Sequence, residues 1–507
     1  MTPLLLALAC TRSPTPPDTS PETGADSAQD SASDTGTTPD RDYRQGITLQ
    51  SQDTESWGEL GYVHEIWEIG PDFELPLLAP DGAAPRFHLL APQSGGQGRP
   101  LLVVFHGSST DIDDQEPAGD FGRCTTEHAS EQIDGILRAS PTLRAAVARG
   151  WVVALPENPF CDGWIGQGPN DPVDSEHAGA LHAELSVGFA RWGRDSLSIG
   201  PVYALGSSLG APGATAFALR QELAGLAFDS GAGDFVRYYW EEDYSPFGLE
   251  IRQARGDHTL GGPPTAAADD DTPSAFYDSY RDMSLERALV DGRVALPVFH
   301  VWSENDGGAP AVQNQDIAAL LAAHSPAPWL DYEVAKATHT QAHDPSSAFV
   351  GVAMTEFLSG RSVQILEAES GTGALGQVVE GTQEVEKLSG TGARRSAPAD
   401  GPGLLWESSS ASEVTRGLTV RASIFLDLTG QSDADLVTLK LVQGGQVLAE
   451  RTLAPGALDY TLTDHAAGVA WMEALTLEAE SEGGAVTVQV WTEGTGVVLA
   501  DVAVLSW

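Results

Sequence analysis

Gly206-Ser207-Ser208-Leu209-Gly210 follows the apolar run Val202-Tyr203-Ala204-Leu205 and precedes a helix-like stretch, Ala211 to Leu219. This is G-x-S-x-G between a strand and a helix, the setting in which the pentapeptide marks a nucleophilic serine rather than an ordinary turn. A serine hydroxyl is a weak nucleophile at its own pKa. It needs a base beside it and a turn tight enough to hold its oxygen clear of the backbone. Glycines on either side let the strand and the helix come close together at that turn.

Working outward, Leu101 to Phe105 and Trp151 to Leu155 are continuous apolar runs, as strands buried on both faces require. Tyr62 to Ile69 and Phe87 to Ala91 read as earlier strands, and Leu226 to Phe228 and Val298 to Trp302 as later ones. Helical spacing over Ser130 to Ala148 and a helix candidate at Ala178 to Trp192 lie between strands. Alternation of this kind implies an α/β fold, a doubly wound, mostly parallel sheet over residues 57–360. Ligands of such sheets gather at the carboxyl ends of the strands.

A base is therefore sought on a late loop. His339 follows the strand-like Leu330 to Val334 and precedes a terminal helix, Ser347 to Leu358; His343 is the competing histidine. The acid that orients it should close the preceding strand. Asp306 is the first choice and Glu304 the second, both within Ser303-Glu304-Asn305-Asp306 after Val298 to Trp302. The resulting chain order is Ser208, Asp306, His339. Oxyanion donors are expected from the amide of Leu209 and from the loop His106-Gly107-Ser108-Ser109, with Ser108 first and Gly107 as the alternative. His106 itself reads as a buried structural histidine.

His106-Gly107, the Ser208 elbow, the Ser303 to Asp306 segment before Pro310 and His339 together resemble the α/β-hydrolase family over roughly residues 57–360. Phe160-Cys161-Asp162-Gly163-Trp164 and the lead-in from Arg191 to Val202 are similar to its feruloyl-esterase and polyhydroxybutyrate-depolymerase branch. The resemblance implies a secreted serine esterase that needs no cofactor and no metal. Thr338 stands where the family usually has glycine before its catalytic histidine.

Residues 233–290 interrupt the sheet with Tyr238, Tyr239, Trp240, Tyr244, Phe247, Phe276, Tyr277 and Tyr280. Two readings stand: an aromatic-lined lid over the site, or an insertion packing its own small core. Asp269-Asp270-Asp271 and Asn170-Asp171-Pro172-Val173-Asp174 read as loop and turn chemistry rather than metal ligands.

From about Ser362 the character changes. Leu418 to Ile424, Val437 to Leu441, Leu475 to Ala479 and Val486 to Val490 alternate, and turn residues separate them. An all-β sandwich is expected over 362–507, separately folded from the part before it. Ile365-Leu366-Glu367-Ala368-Glu369 and Val498 to Val504 resemble carbohydrate-binding jelly rolls. Trp406, Trp471 and Trp491 are then candidates for stacking on a polysaccharide, or core residues of a plain accessory domain.

The 507-residue chain carries 72 acidic and 27 basic residues, a formal net charge of -45. Such a surface repels phosphate, which argues against nucleic-acid and anionic-membrane partners. Ala7-Leu8-Ala9-Cys10 resembles a bacterial lipobox closing a short apolar run over 1–10, without a positive segment before it. Cys10 would then be lipidated and the protein extracytoplasmic, lipid-anchored or secreted, with no transmembrane span. Residues 11–45, poor in large apolar side chains, are expected to be a disordered linker. Cys124 and Cys161 remain as a pair that an oxidising compartment would join as a disulfide.

The expected activity is carboxyl-ester hydrolysis on a small or polymeric ester. The competing readings are a serine peptidase of the same fold and a non-catalytic surface-binding protein.

Overall fold

The computed structural model describes residues 46–507 apart from 58–59, 71–83, 85, 94–96, 108–129, 131–132, 138–139, 158–163, 165–179, 242–248, 269, 305, 307–308, 310, 335–347, 376, 381–391, 397–401, 409–412, 431–435, 454–462, 467–468 and 494–496. The chain divides by its internal contacts into Met1–Asp42, outside the described residues, and Tyr43–Trp507, which holds all the described strands and helices.

Nine strands form one sheet: β1 (Ile47–Trp57), β2 (Leu60–Ile69), β3 (Arg86–Pro92), β4 (Leu101–Phe105), β5 (Val152–Pro156), β6 (Val202–Ser207), β7 (Gly225–Asp229), then β10 (Val298–Trp302) and β11 (Trp329–Glu333). The order across the sheet is β1-β2-β3-β5-β4-β6-β7-β10-β11. From β5 to β11 neighbours run parallel, and β1, β2 and β3 join antiparallel. The two faces are apolar in alternation. Leu101, Val103 and Phe105 of β4 enter one core, and Leu102 and Val104 the other. Helices α2 (Ala180–Leu197) and α3 (Gly210–Arg220) cover the first face. Helices α1 (Pro141–Ala148) and α9 (Ala348–Leu358) cover the second. The expected doubly wound arrangement is thus present in this part of the chain.

Three details depart from the sequence reading. The helix expected over Ser130 to Ala148 is interrupted, and α1 begins only at Pro141 with the Ser140 hydroxyl accepting from the Leu143 amide. Proline has no N–H for a helix interior but suits the first turn, so it starts a helix here instead of continuing one. The helix expected at Ala178 to Trp192 runs from Ala180 to Leu197. Strand β1 is absent from the sequence expectations, because Ile47–Trp57 is largely polar and its middle is exposed. Pairing with β2, not an apolar period, makes it a strand.

The insertion contains α4 (Phe235–Trp240), α5 (Leu249–Leu260), the hairpin β8 (Thr265–Ala267) and β9 (Asp270–Pro273), α6 (Tyr277–Asp282) and α7 (Leu285–Val290). Its aromatic rings are packed inward. Tyr238, Tyr239 and Tyr280 are buried, and Trp240, Phe276 and Tyr277 pack against the same core. Tyr244 and Phe247 lie outside the described residues. The buried Arg252 donates to the carbonyls of Tyr238 and Glu241 and ties α5 to α4. Arg237 is shared among Glu241, Glu286 and Asp316. Burial pushes the Glu286 carboxyl up to about 8, reinforced by Asp234 and opposed by Arg237. These rings therefore pack into the core on the first face of the sheet, with Leu101, Val103 and Phe228, rather than into a small core of their own. Helix α8 (Ala311–His324) follows β10.

The C-terminal strands form two antiparallel sheets around their own core. One joins β12 (Val363–Glu367), β13 (Gln377–Glu380), β14 (Gly392–Arg395), β17 (Thr419–Gly430), β20 (Thr463–Ala466), β21 (Val469–Glu480) and β23 (Val497–Ser506). The other joins β15 (Gly403–Glu407), β16 (Glu413–Val414), β18 (Leu436–Gln443), β19 (Gln446–Leu453) and β22 (Gly484–Glu493). Trp406 is fully buried in the core between them, so it is no sugar platform. The Trp491 ring is half-buried beneath the Lys440 ammonium, 5.2 Å from its centroid. Trp471 lies on β21.

The seam between the two parts is itself a core. Phe425, Val502 and Val504 pack into the cluster that holds α1 and α9. The buried Glu356 of α9 pairs with Arg149 (3.3 Å), Arg361 (3.3 Å) and Arg421 (3.5 Å) and accepts from the Ser506 hydroxyl (3.1 Å). Each apolar side chain contributes about 1.5–3 kcal/mol, whereas the desolvation of the buried Glu356 offsets much of what its ion pairs gain. Apolar burial therefore holds the seam, and Glu356 fixes its register. The expectation of a separately folded sandwich is qualified by this shared core, which a cut after Gly360 would open.

Candidate active site

Ser208 sits where β6 ends and α3 begins. Its φ is +54°, a region that non-glycine residues seldom occupy. Two contacts hold the turn: the Ser208 amide donates to the Asp229 carbonyl (3.0 Å), and the Ala211 amide to the Ser208 carbonyl (3.0 Å). The motif glycines are required by space. A Cβ on Gly206 would lie 2.6 Å from Ala211 Cα, and one on Gly210 would fall on the carbonyl oxygens of Phe105 and His106. Those obstacles are mainly backbone and cannot swing aside. Gly210→Ala is accordingly expected to lower unfolding free energy by about 1–3 kcal/mol and to reduce activity with it. Urea denaturation checks this; a stability unchanged within about 0.5 kcal/mol would show that the elbow tolerates the methyl group.

Leu209 is the N-cap of α3 and brings no side-chain acceptor to the first-turn amides. Its own amide belongs to a helix N-terminus, where the aligned peptide dipoles favour negative charge. On the other side lies Gly107: a Cβ built there would be 3.1 Å from Ser208 Cβ and 3.7 Å from its Oγ. Ser208, Leu209 and Gly107 are therefore brought together at the carboxyl ends of β4 and β6.

Asp306 follows β10, which is separated from β6 by β7 in the sheet. It is buried; its Oδ1 accepts from the Ala309 amide (2.9 Å), and its own amide donates to the Ser303 carbonyl (3.3 Å). Glu304 is exposed. The Glu333 carboxyl, at the end of β11, is pushed up by burial and then by the charges of Glu304 and Asp331. Of the two acids, Asp306 is the one held in place. His339 and His343, Ser108, and Cys10, Cys124 and Cys161 all lie outside the described residues.

The sequence reading passed over Asp229 and Ser230 at this rim and gave Trp164 only as part of a family-like segment. Asp229, which closes β7, is buried. Its carbonyl takes the Ser208 amide and its Oδ2 the Ser207 hydroxyl (3.5 Å), so it holds the elbow from the adjacent strand. Its signal was an acid ending an apolar strand. Trp164 and Ser230 share with Ser208 a positive φ, +67° and +47°. A tryptophan with positive φ leaves no trace in a pattern of apolar residues. Among the described residues no group of three or more His, Cys, Asp or Glu is placed to hold a metal ion. No described helix is long and apolar enough to cross a membrane.

No family model matches the chain, and no curated protein matches it in sequence. Among solved structures it is similar to an S-formylglutathione hydrolase from Agrobacterium tumefaciens, with 11% identity, 62% of this chain and 98% of that one covered, and a TM-score of 0.40. A thermostable esterase from Pseudomonas putida ECU1011 gives 12% identity, 61% and 79% coverage and a TM-score of 0.35. A puromycin-hydrolysing peptidase from Mycobacterium tuberculosis gives 16% identity, 62% and 46% coverage and a TM-score of 0.35. All three similarities are low, and the neighbours comprise a hydrolase, an esterase and a peptidase.

Proposed function

We propose that this protein is a serine hydrolase of the α/β-hydrolase type, acting on carboxylic esters through an acyl-enzyme on Ser208. The observation that carries the reading is the elbow. A serine with φ of +54° stands between a fully buried strand and a helix N-terminus, with the Gly107 backbone against it. In this reading His339 takes the Ser208 proton as Oγ attacks the acyl carbonyl, and Asp306 holds the imidazole and stabilises its charged form. The developing oxyanion receives the Leu209 amide and one from Gly107 or Ser108. Collapse expels the alcohol, which takes its proton from His339, and water releases the acid by the same steps in reverse. No cofactor enters this chemistry.

The finer expectations travel with this proposal. Cys10 would anchor the protein outside the cytoplasm, Cys124 and Cys161 would be bridged, and the C-terminal region would present the enzyme to an ester-bearing polymer such as a polysaccharide. A peptidase would use the same groups, so the substrate panel must hold both bond types. Purified protein is expected to hydrolyse p-nitrophenyl acetate and a feruloyl ester at least about a hundredfold faster than peptide anilides. Faster anilide cleavage would favour the peptidase. No turnover of either, with a serine-directed phosphonate also failing to react, would favour a binding protein.

A further inference from the structure

We infer that Trp164 is a positioning residue for the oxyanion loop, fixing by its indole N–H the direction of the Gly107 amide; this rests on the serine-hydrolase reading above. Trp164 is 1% exposed, so it reaches no substrate itself. Its Nε1 donates to the His106 carbonyl at 2.9 Å. That carbonyl and the Gly107 N–H belong to one peptide unit. In a planar trans peptide they point in opposite directions, so holding the oxygen sets the line of the hydrogen. His106 Nδ1 lies 2.7 Å from the Gly107 carbonyl, and since a carbonyl only accepts, Nδ1 carries the proton. The Gly107 amide is thus fixed through the carbonyl of its own peptide unit, and Gly107 abuts Ser208.

The indole is seated for this task. Its ring meets Phe105 and His106 edge to face, with centroids 5.3 and 5.2 Å apart. A Cβ on Gly213 would lie 2.7 Å from Trp164 Cβ, so the residue packs directly on the backbone of α3, the helix that Ser208 opens. It also holds φ of +67°, a conformation a bulky side chain keeps only where its surroundings impose it. Packing alone would not need the nitrogen, because a phenyl ring fills most of the same volume. The donated hydrogen bond is the part that orients the loop.

The test separates the hydrogen bond from the packing. Trp164→Phe keeps a ring and removes the donor. The expected result is a kcat for p-nitrophenyl acetate about tenfold lower with KM within about twofold, since misaiming one donor acts on the transition state. Affinity for a boronic acid, which forms a tetrahedral anion on the serine, should fall in parallel. Affinity for a neutral product-like inhibitor should not. Should the Phe variant fail to fold, site-specific incorporation of 3-benzothienylalanine at 164 preserves the bicyclic shape with sulfur in place of N–H, and the same losses are expected. A folded variant with kcat within twofold of the parent would overturn the inference, as would equal losses for boronate and neutral inhibitor. If the parent protein itself turns over no ester, the hydrolase reading has failed instead, a result distinct from either.

Discussion

Replacing Ser208 by alanine is expected to lower kcat/KM for aryl esters by at least about 10⁴-fold, because no acyl-enzyme can form and what remains is catalysis by binding and oxyanion donors alone. The fold should survive. The side chain is half-exposed, and the turn is held by the backbone contacts to Asp229 and Ala211, which alanine keeps. The positive φ is a cost that serine already bears, and alanine bears much the same. Circular dichroism and melting temperature should therefore match the parent while activity vanishes. Activity within tenfold of the parent would remove Ser208 from the chemistry and leave the elbow as a turn.

Asp306→Asn is expected to lower kcat by about 10³–10⁴-fold, through a wrong tautomer and the lost stabilisation of an imidazolium. The amide oxygen can still accept from the Ala309 amide, so the loop should hold its shape. Glu304→Gln serves as the comparison. Glu304 is exposed, and its charge burdens Glu333, so its removal should change kcat by less than about twofold. The reverse ranking, with Glu304→Gln the more damaging, would transfer the orienting role to Glu304 and leave Ser208 untouched. Stability should be measured alongside, since Asp306 is buried and a fold defect would mimic a catalytic one.

The parts legible in the sequence were those with a local physical cause. Leu101 to Phe105 is apolar at every position because both of its faces are covered, and the strand occupies those same five residues. The Ser208 elbow was legible because glycine is demanded by sterics at Gly206 and Gly210. Less was legible where structure comes from a partner. Ile47–Trp57 becomes a strand by pairing with Leu60–Ile69, which its own polar pattern does not announce. The aromatic insertion was open between lid and core until Tyr238, Tyr239 and Tyr280 were found buried. The role of Asp229 depends on β6 and β7 being neighbours, and that of Trp164 on the path of the chain after β5. Shared burial of Phe425, Val502 and Val504 with α9 joins segments far apart in sequence, and alternation within each strand says only that one face is apolar, not against what.

The most direct measurement is covalent. The protein is treated with a fluorophosphonate, digested, and the modified peptide sequenced by mass spectrometry. A single adduct on Ser208, formed at a rate that a competing ester slows and absent from Ser208→Ala, is the expected result. An adduct on a different serine, or none in a preparation that hydrolyses esters, would contradict the assignment of Ser208 as nucleophile.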